Sequence, residues 1–193
     1  DVRINADLRT DGTAGNNEGS IQIRATNRTV NGAGSDGVIM NNNTSITTHA
    51  GVIRILADNE SDIQLGLLDT VSTNFNAGAV SLLAERSILD GQGDLDELNI
   101  QTGTLRMVAD AAISNDANLN GQIGTTDTAN VNPDANVNAI DIQVITLAAQ
   151  SADGIYLSEA DGLTVNATGN LAIKEVNFNS TTTTRTDASL SDL

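Results

Sequence analysis

A seven-residue pattern of alternating apolar positions recurs along the chain. Its clearest copy, residues 103–109, has the sequence Gly-Thr-Leu-Arg-Met-Val-Ala, which is Gly-x-Φ-x-Φ-x-Ala with Φ apolar. Because side chains alternate between the two faces of a β-strand, this period of two predicts a strand at each copy. Complete copies lie at residues 19–25, 51–57 and 78–84, a copy without the glycine at 2–6, and degraded copies at 143–149 and 169–175. A fixed strand that recurs with loops of uneven length is typical of a solenoid.

Two shorter apolar runs follow the strand in each repeat. After residues 51–57 they lie at 62–66 and 73–77, and two later repeats have the same arrangement. The later runs are 87–90 and 97–102, then 155–157 and 163–167. Three short strands per turn predict an all-β fold, a right-handed parallel β-helix (β-solenoid) with about six irregular coils. A β-sandwich also has short strands joined by turns, but it does not repeat the same glycine and alanine in register.

The inward positions of the repeats predict three stacked files of side chains. The files are Ile21, Ile53, Val80 and Leu105; Ile23, Ile55, Leu82 and Met107; and Ala25, Ala57, Ala84 and Ala109. Each head glycine is expected at a sharp bend between strands, where its freedom at positive φ is useful. Aromatic residues make up only 2% of the chain, so the core must be built from these small aliphatic side chains.

Two segments depart from the repeat. The predicted domains are a parallel β-helix at residues 1–176, with a loop insertion at about 110–142, and a C-terminal cap or linker tail at 177–193. Glu175 falls at an inward alanine position, where a charged group should end the stack. Val176 and Phe178 are expected to fold over the last coil, because open sheet edges need covering. No cap is evident for the first coil, and a strand at the very start of the chain suggests a segment of a longer protein.

Charge argues against two classes of partner. The 193 residues carry 25 acidic and 9 basic side chains, which gives a formal charge of -16. Nucleic acid and anionic membrane surfaces repel such a chain, so neither is expected as a partner. No apolar run approaches the roughly 20 residues that span a bilayer, so membrane insertion is not expected. The absence of cysteine excludes thiol catalysis and disulfides.

An acidic loop is the candidate metal site. Asp90, Asp94, Asp96 and Glu97 place four carboxylates within eight residues that also include two glycines. Calcium takes about six to eight oxygen ligands, and glycines let a loop curl around such an ion. The spacing matches neither the EF-hand nor the calcium-binding nonapeptide repeat. Calcium is therefore the predicted cofactor, with a solvated acidic turn as the alternative.

The outward side of the repeated strand is also partly apolar. Its positions just before the final alanine are Arg24, Leu56, Leu83, Val108 and Ala148. Because contiguous apolar patches on a surface usually mark a contact, we predict an interface at Leu56, Leu83 and Val108. Arg54 and Arg106 lie on the same face and could pair with carboxylates of a partner. The alternative is that the insertion or the tail covers this face.

Catalysis finds little support in the sequence. His49 is the only histidine, and its position in a strand predicts a solvent-facing side chain. Glycan-cleaving β-helices need paired carboxylates and aromatic platforms for sugar rings. The aromatic residues Phe75, Tyr156 and Phe178 do not cluster in the sequence. We therefore predict no enzyme activity, and keep a glycan-binding or glycan-cleaving domain as the alternative.

The heptads and the stretch at residues 152–161 resemble the repetitive regions of very large bacterial surface proteins, such as filamentous-haemagglutinin-like adhesins. The resemblance covers nearly the whole chain, and its motifs specify a scaffold without catalytic residues. It implies a secreted or cell-surface structural segment, part of a filament, an adhesin stalk or a sheath. The expected partners are neighbouring repeats of the same protein or other copies of the chain, with a glycan or cell-surface ligand as a further possibility.

Overall fold

A computed structural model describes residues 1–10, 19–26, 37–58, 60–71, 77–92, 97–110, 121–125, 138–191 and 193. The described residues form sixteen β-strands and no helix, so the all-β prediction is confirmed for this part of the chain. The strands are β1 (Val2–Ile4), β2 (Leu8–Arg9), β3 (Ile21–Ala25), β4 (Val38–Met40), β5 (Ser45–Thr47), β6 (Val52–Ala57), β7 (Ile63–Leu65), β8 (Leu67–Asp69), β9 (Ala79–Ala84), β10 (Ile88–Asp90), β11 (Ile100–Ala109), β12 (Ile140–Gln150), β13 (Leu157–Glu159), β14 (Thr164–Val165), β15 (Leu171–Val176) and β16 (Thr182–Asp187).

The first fourteen strands form two curled parallel sheets. One sheet has the order β1-β4-β7-β10, and the other has the order β2-β5-β8-β11-β9-β6-β3. Strand β12 adds to β11 in the second sheet and carries β13 and β14 on its other edge. Up to β11, strands therefore pair with their counterparts in neighbouring repeats and not with the next strand in sequence, whereas β11 pairs with β12 and β12 with β13. The long strand β11 pairs with β8 through its first residues and with β9 through the remainder.

The predicted files of inward side chains are confirmed by the strand register. Ile21 pairs with Ile53, Ile53 with Val80, and Val80 with Leu105. The second and third files follow in the same strands. The members of all three files are buried, except Ile21, which is half-buried. A further file in the first sheet runs through Val2, Val38, Ile63, Ile88, Ile123 and Ile155. These stacked aliphatic side chains form the hydrophobic core.

Counted from residues 19–25, the first copy with a head glycine, the fifth copy of the heptad (143–149) aligns two residues away from the predicted position. Leu147 pairs with Leu105, where the repeat pattern would place Ile145. Val144 and Leu147 are buried, and the two residues between them point outward where the strand turns the corner. Ile145 is accordingly 36% exposed. The pattern predicted the wrong register because it matched two apolar residues, one of which lies on this corner.

The head glycines do not all adopt the predicted positive φ. Among the described copies, Gly78 and Gly169 do so, whereas β11 runs without interruption through Gly103. At the second copy the positive φ falls one residue earlier, on Ala50. Gly19 has a different role, because a Cβ there would lie 2.8 Å from Cβ of Thr10 on the preceding segment. Close approach of the backbone explains that glycine better than a bend does.

Two predicted boundaries change within the stack. Strands β7 and β8 are separated only by Gly66, so the third strand of that repeat begins earlier than predicted. Most of the predicted strand 73–77 lies outside the described residues. The expected insertion at about 110–142 contributes to the stack through Ile123, which bridges Ile88 on one side and Ile155 on the other. Because the residues around Ile123 in the sequence are polar, the apolar pattern did not predict this short level of the stack.

The sixth copy of the heptad is not a further parallel strand. Strand β15 pairs with β16 in an antiparallel hairpin, in register from Leu171 opposite Asp187 to Val176 opposite Thr182. The prediction that Val176 and Phe178 cover the last coil is wrong, since they are 73% and fully exposed near the tip of this hairpin. Only Ile173 of β15 is buried. One buried aliphatic residue is too little for a further core level, so the strand pairs with the threonine-rich segment instead.

Candidate interaction surfaces

The C-terminal hairpin packs against the outer face of the long strands. The outward residues Arg54, Ser81 and Arg106 lie side by side in β6, β9 and β11. The Asp187 carboxylate accepts hydrogen bonds from Arg54 Nε at 2.9 Å, Arg54 Nη2 at 2.8 Å and Ser81 Oγ at 2.7 Å. A bidentate guanidinium–carboxylate pair fixes both distance and orientation. Asp187 therefore fastens the hairpin to the parallel sheet.

The electrostatics of Asp187 follow from this arrangement. Burial alone would raise the pKa of its carboxyl group. The hydrogen bonds from Arg54 and Ser81, with the charges of Arg54 and Arg106, outweigh burial and hold the pKa below its ordinary value. The ionised carboxylate is therefore the form that the docked hairpin requires.

Arg106 is the third member of this cluster and is buried. Its Nε donates to the carbonyl oxygen of Ala188 at 3.0 Å, just beyond the end of β16. Its Nη1 is buried without a hydrogen-bond partner. Burial lowers the pKa of Arg106 and so does neighbouring Arg54, while Asp187 opposes both. The guanidinium thus holds the segment that follows the hairpin.

The structure places the predicted outer interface inside the molecule. Leu56 and Val108 are buried and Leu83 is half-buried. Arg54 and Arg106 contact the chain's own C-terminal segment. At these two arginines the tail covers the face, which is the alternative that the sequence left open. The sequence offered no sign that Asp187, in a threonine-rich tail, would be the residue responsible.

Two of the four predicted calcium ligands lie in the described part of the chain. Asp90 Oδ1 accepts hydrogen bonds from the backbone N–H of Gln92 at 2.8 Å and from Asn99 Nδ2 at 2.7 Å. Glu97 lines a groove of about 370 Å³ with Asn43, Gln92 and other residues. Asp94 and Asp96 lie outside the described residues. Within the described ranges, no three His, Cys, Asp or Glu side chains gather in a way that could hold a metal ion.

Polar ladders also stabilise the stack, and the sequence pattern missed them. Thr48, Thr70 and Thr102 lie in successive levels and are buried, and the hydroxyl groups of Thr70 and Thr102 are 2.6 Å apart. On the outer surface, Gln101 Nε2 donates to Gln143 Oε1 at 2.7 Å. His49, expected to face solvent, is half-buried. No helix in the described residues has the length and apolar character to cross a membrane.

Both ends of the parallel stack have open strand edges. Strands β1, β2 and β3 at one end, and β13 and β14 at the other, each pair with a single strand among the described residues. The end members of the inward files are correspondingly exposed, with Leu8 at 41% and Val165 at 42%. Unpaired N–H and C=O groups beside exposed apolar side chains favour pairing with another strand. Within the described residues, both ends of the stack therefore present unpaired strand edges.

The two ends differ in charge. Each of the first three strands carries one arginine and no carboxylate, namely Arg3, Arg9 and Arg24. The last level carries Glu159 and Asp161 and has no basic residue between 151 and 173. Burial raises the pKa of Glu159, and the neighbouring Asp161 carboxylate raises it further. The strands of the first level thus carry arginines, of which Arg3 pairs with Asp1 and Arg24 with Asp58, whereas the last level is acidic.

Comparison of the chain with protein-family models, with curated proteins and with solved structures gives no match. The resemblance to adhesin repeats stays a prediction.

Proposed function

We propose that the chain is a right-handed parallel β-helix with a structural, non-enzymatic role in a bacterial surface filament, adhesin stalk or sheath outside the cell. It assembles by stacking of its end levels on neighbouring repeats or other copies. The observation that carries the proposal is the pair of open strand edges, where Leu8 at one end and Val165 at the other are exposed apolar ends of two inward files. A stack that ends this way at both edges gains buried apolar area and backbone hydrogen bonds when the next stack joins.

Continuing the register by one step predicts which residues meet at such a junction. Val165 pairs with Leu147 in the file that begins at Ile21, so Val165 of one copy would lie beside Ile21 of the next. In the first sheet, Ile155 would lie beside Val2 in the same way. Both pairs join apolar residues, so the core would continue through the junction along these two files. In the file that begins at Leu8, the last member is Glu159.

The outer surface of the junction brings opposite charges together. Arg9 begins an outward file that continues through Thr47, Asp69, Gln101 and Gln143. At the far end of this file, Asp161 Oδ2 accepts a hydrogen bond from Gln143 Nε2 at 3.1 Å. The counterpart of Gln143 in the last level is Ala160, so one step further in the register places Arg9 of a second copy beside Ala160 and one residue from Asp161. The charges favour head-to-tail stacking over head-to-head stacking, which would bring like charges together.

Sedimentation velocity and negative-stain electron microscopy test the proposal. The wild-type chain is expected to form larger species of regular width as its concentration rises. Arg9→Asp and Asp161→Arg should each weaken this association, and the double variant should restore it, because the exchanged charges still attract. A chain that stays monomeric at high concentration would contradict the structural role. Association that is as strong in both single variants as in the wild type would contradict the proposed register of the junction.

A further inference from the structure

The C-terminal hairpin runs along the outside of the stack toward the first strands. Asp187 lies over β6 and β9, whereas Ala188, one residue later, contacts Arg106 on β11. Ile173, two positions into the hairpin, lies by Ser20 and Val52, at the start of β3 and β6. The hairpin thus progresses from β11 toward β3 as it approaches its tip.

The hairpin is long enough for its tip to pass β3 when it runs straight across the strands. Neighbouring strands are about 4.8 Å apart and a strand rises about 3.3 Å per residue. From the pair Leu171 and Asp187 at β9, the hairpin therefore reaches β3 after about three residues. The residues around Phe178 then extend about 10 Å further, or about two strand spacings. A second copy stacked on the first strands would place its own last level in this space.

The tip is exposed, apolar and held by hydrogen bonds. Val176 is 73% exposed and Phe178 is fully exposed. The turn is fixed by the backbone N–H of Asn177, which donates to the Thr181 carbonyl at 2.8 Å, and by Asn177 Nδ2, which donates to Thr183 Oγ1 at 2.9 Å. An ordered loop that displays an aromatic side chain loses little conformational entropy on binding. Aromatic residues in this position commonly anchor protein contacts.

The file of outward residues beneath the hairpin indicates which residue of a second copy the tip would contact. Ser20 lies beside Val52 because Ile21 pairs with Ile53, and Val52 pairs with Ala79. The same outward file continues through Thr104 and Thr146 and ends at Thr164 on β14. In a head-to-tail junction, Thr164 of the second copy continues the file beyond Ser20, directly under the overhanging tip.

We propose that the hairpin tip of one copy clasps the last level of a second copy, with Val176 and Phe178 resting on its outer face at Thr164. The clasp rests on the proposed end-to-end stacking and adds a contact that the strand edges do not supply. It also gives the hairpin two attachments, Asp187 on its own stack and Phe178 on the next.

Crosslinking between different chains tests the clasp. The chain has no cysteine, so introduced thiols are the sole reactive ones. Ser180→Cys labels the tip and leaves Phe178 intact, and it is mixed with a second chain that carries either Thr164→Cys or the control Gln64→Cys. Gln64 points outward from the middle of the first sheet. A short bismaleimide reagent should join the 180–164 mixture into covalent dimers and leave the 180–64 mixture largely unjoined.

A second measurement separates the clasp from the stacking itself. Phe178→Ser should weaken association in sedimentation by about tenfold or more, since a buried aromatic anchor is lost. Thr184→Ser, an exposed change on the same hairpin, should leave it unchanged. If the wild type assembles but the 180–164 pair does not crosslink, or crosslinks no better than the 180–64 pair, the clasp is overturned and the stacking stands. If the wild type never assembles, the proposed function fails and the clasp fails with it.

Discussion

Asp187 and Arg54 form a bidentate ion pair across 133 residues of sequence, with both oxygens of the carboxylate engaged by one guanidinium. Ser81 donates a third hydrogen bond to the same carboxylate. This pair joins the antiparallel hairpin to the parallel stack and determines the direction in which the hairpin points. Its loss should free the hairpin without dismantling the stack.

Asp187→Asn is expected to destabilise the docked hairpin. Removing one member of a buried ion pair typically costs about 3–5 kcal/mol, because the remaining charge stays buried without its partner. Hydrogen exchange should show faster exchange in β15 and β16, with β6 and β9 little changed. Glu175→Gln is the matched control on the same hairpin, since Glu175 pairs with Arg185 in an exposed position. Equal exchange in the two variants would contradict a fastening role for Asp187.

Acid should release the hairpin through the same residue. The pKa of Asp187 is lowered in the folded state, so its contribution to stability is complete above the ordinary value of 3.8. The contribution is lost as the pH falls from that value through the lower folded-state pKa. Protection of β15 and β16 against hydrogen exchange should therefore decline in this acid range. Asp187→Asn should lack this component, and a wild-type profile that matches the variant's would refute the assignment.

Two neighbouring aliphatic residues test the register of the fifth copy. Leu147 is buried and Ile145 is 36% exposed, although both occupy apolar positions of the heptad. Leu147→Ala should lower the free energy of unfolding by about 2–5 kcal/mol, as is usual for a buried leucine. Ile145→Ala should cost less than about 1 kcal/mol, because most surface changes have small effects. Urea denaturation of the two variants measures both values, and a loss at Ile145 as large as the loss at Leu147 would favour the register that the repeat alone predicts.

Calcium binding by the loop at Asp90, Asp94, Asp96 and Glu97 stays a prediction. If the loop binds calcium, the melting temperature should rise with added calcium and return to its starting value with a chelator. Asp90→Asn should reduce this rise. Because Asp90 also accepts hydrogen bonds from Gln92 and Asn99, the variant's melting temperature without calcium supplies the control. Identical melts of the wild type with and without calcium would favour the solvated acidic turn.

Much of the stack could be predicted because the apolar pattern that specifies it is local and repeated. The period of two marks the strands, and equal spacing of Ile53, Val80 and Leu105 from their head glycines gives the register. The pattern failed where an apolar residue is exposed or where a buried residue lies within a polar segment. Ile145 is apolar but lies on a corner, and Ile123 completes a level from within a polar segment.

The sequence by itself determined the all-β class, the strand at each heptad and the inward files. These features depend only on the alternation of apolar residues within one strand and on the matching residues in the strands beside it. Only the tertiary structure decided that the sixth copy forms an antiparallel hairpin and that the C-terminal segment contacts the arginines of the outer face. Asp187 meets Arg54 after a long excursion of the chain, and Phe178 is fully exposed on the hairpin that this ion pair docks. Such contacts depend on where separate segments meet in space, and no periodicity along the chain encodes that meeting.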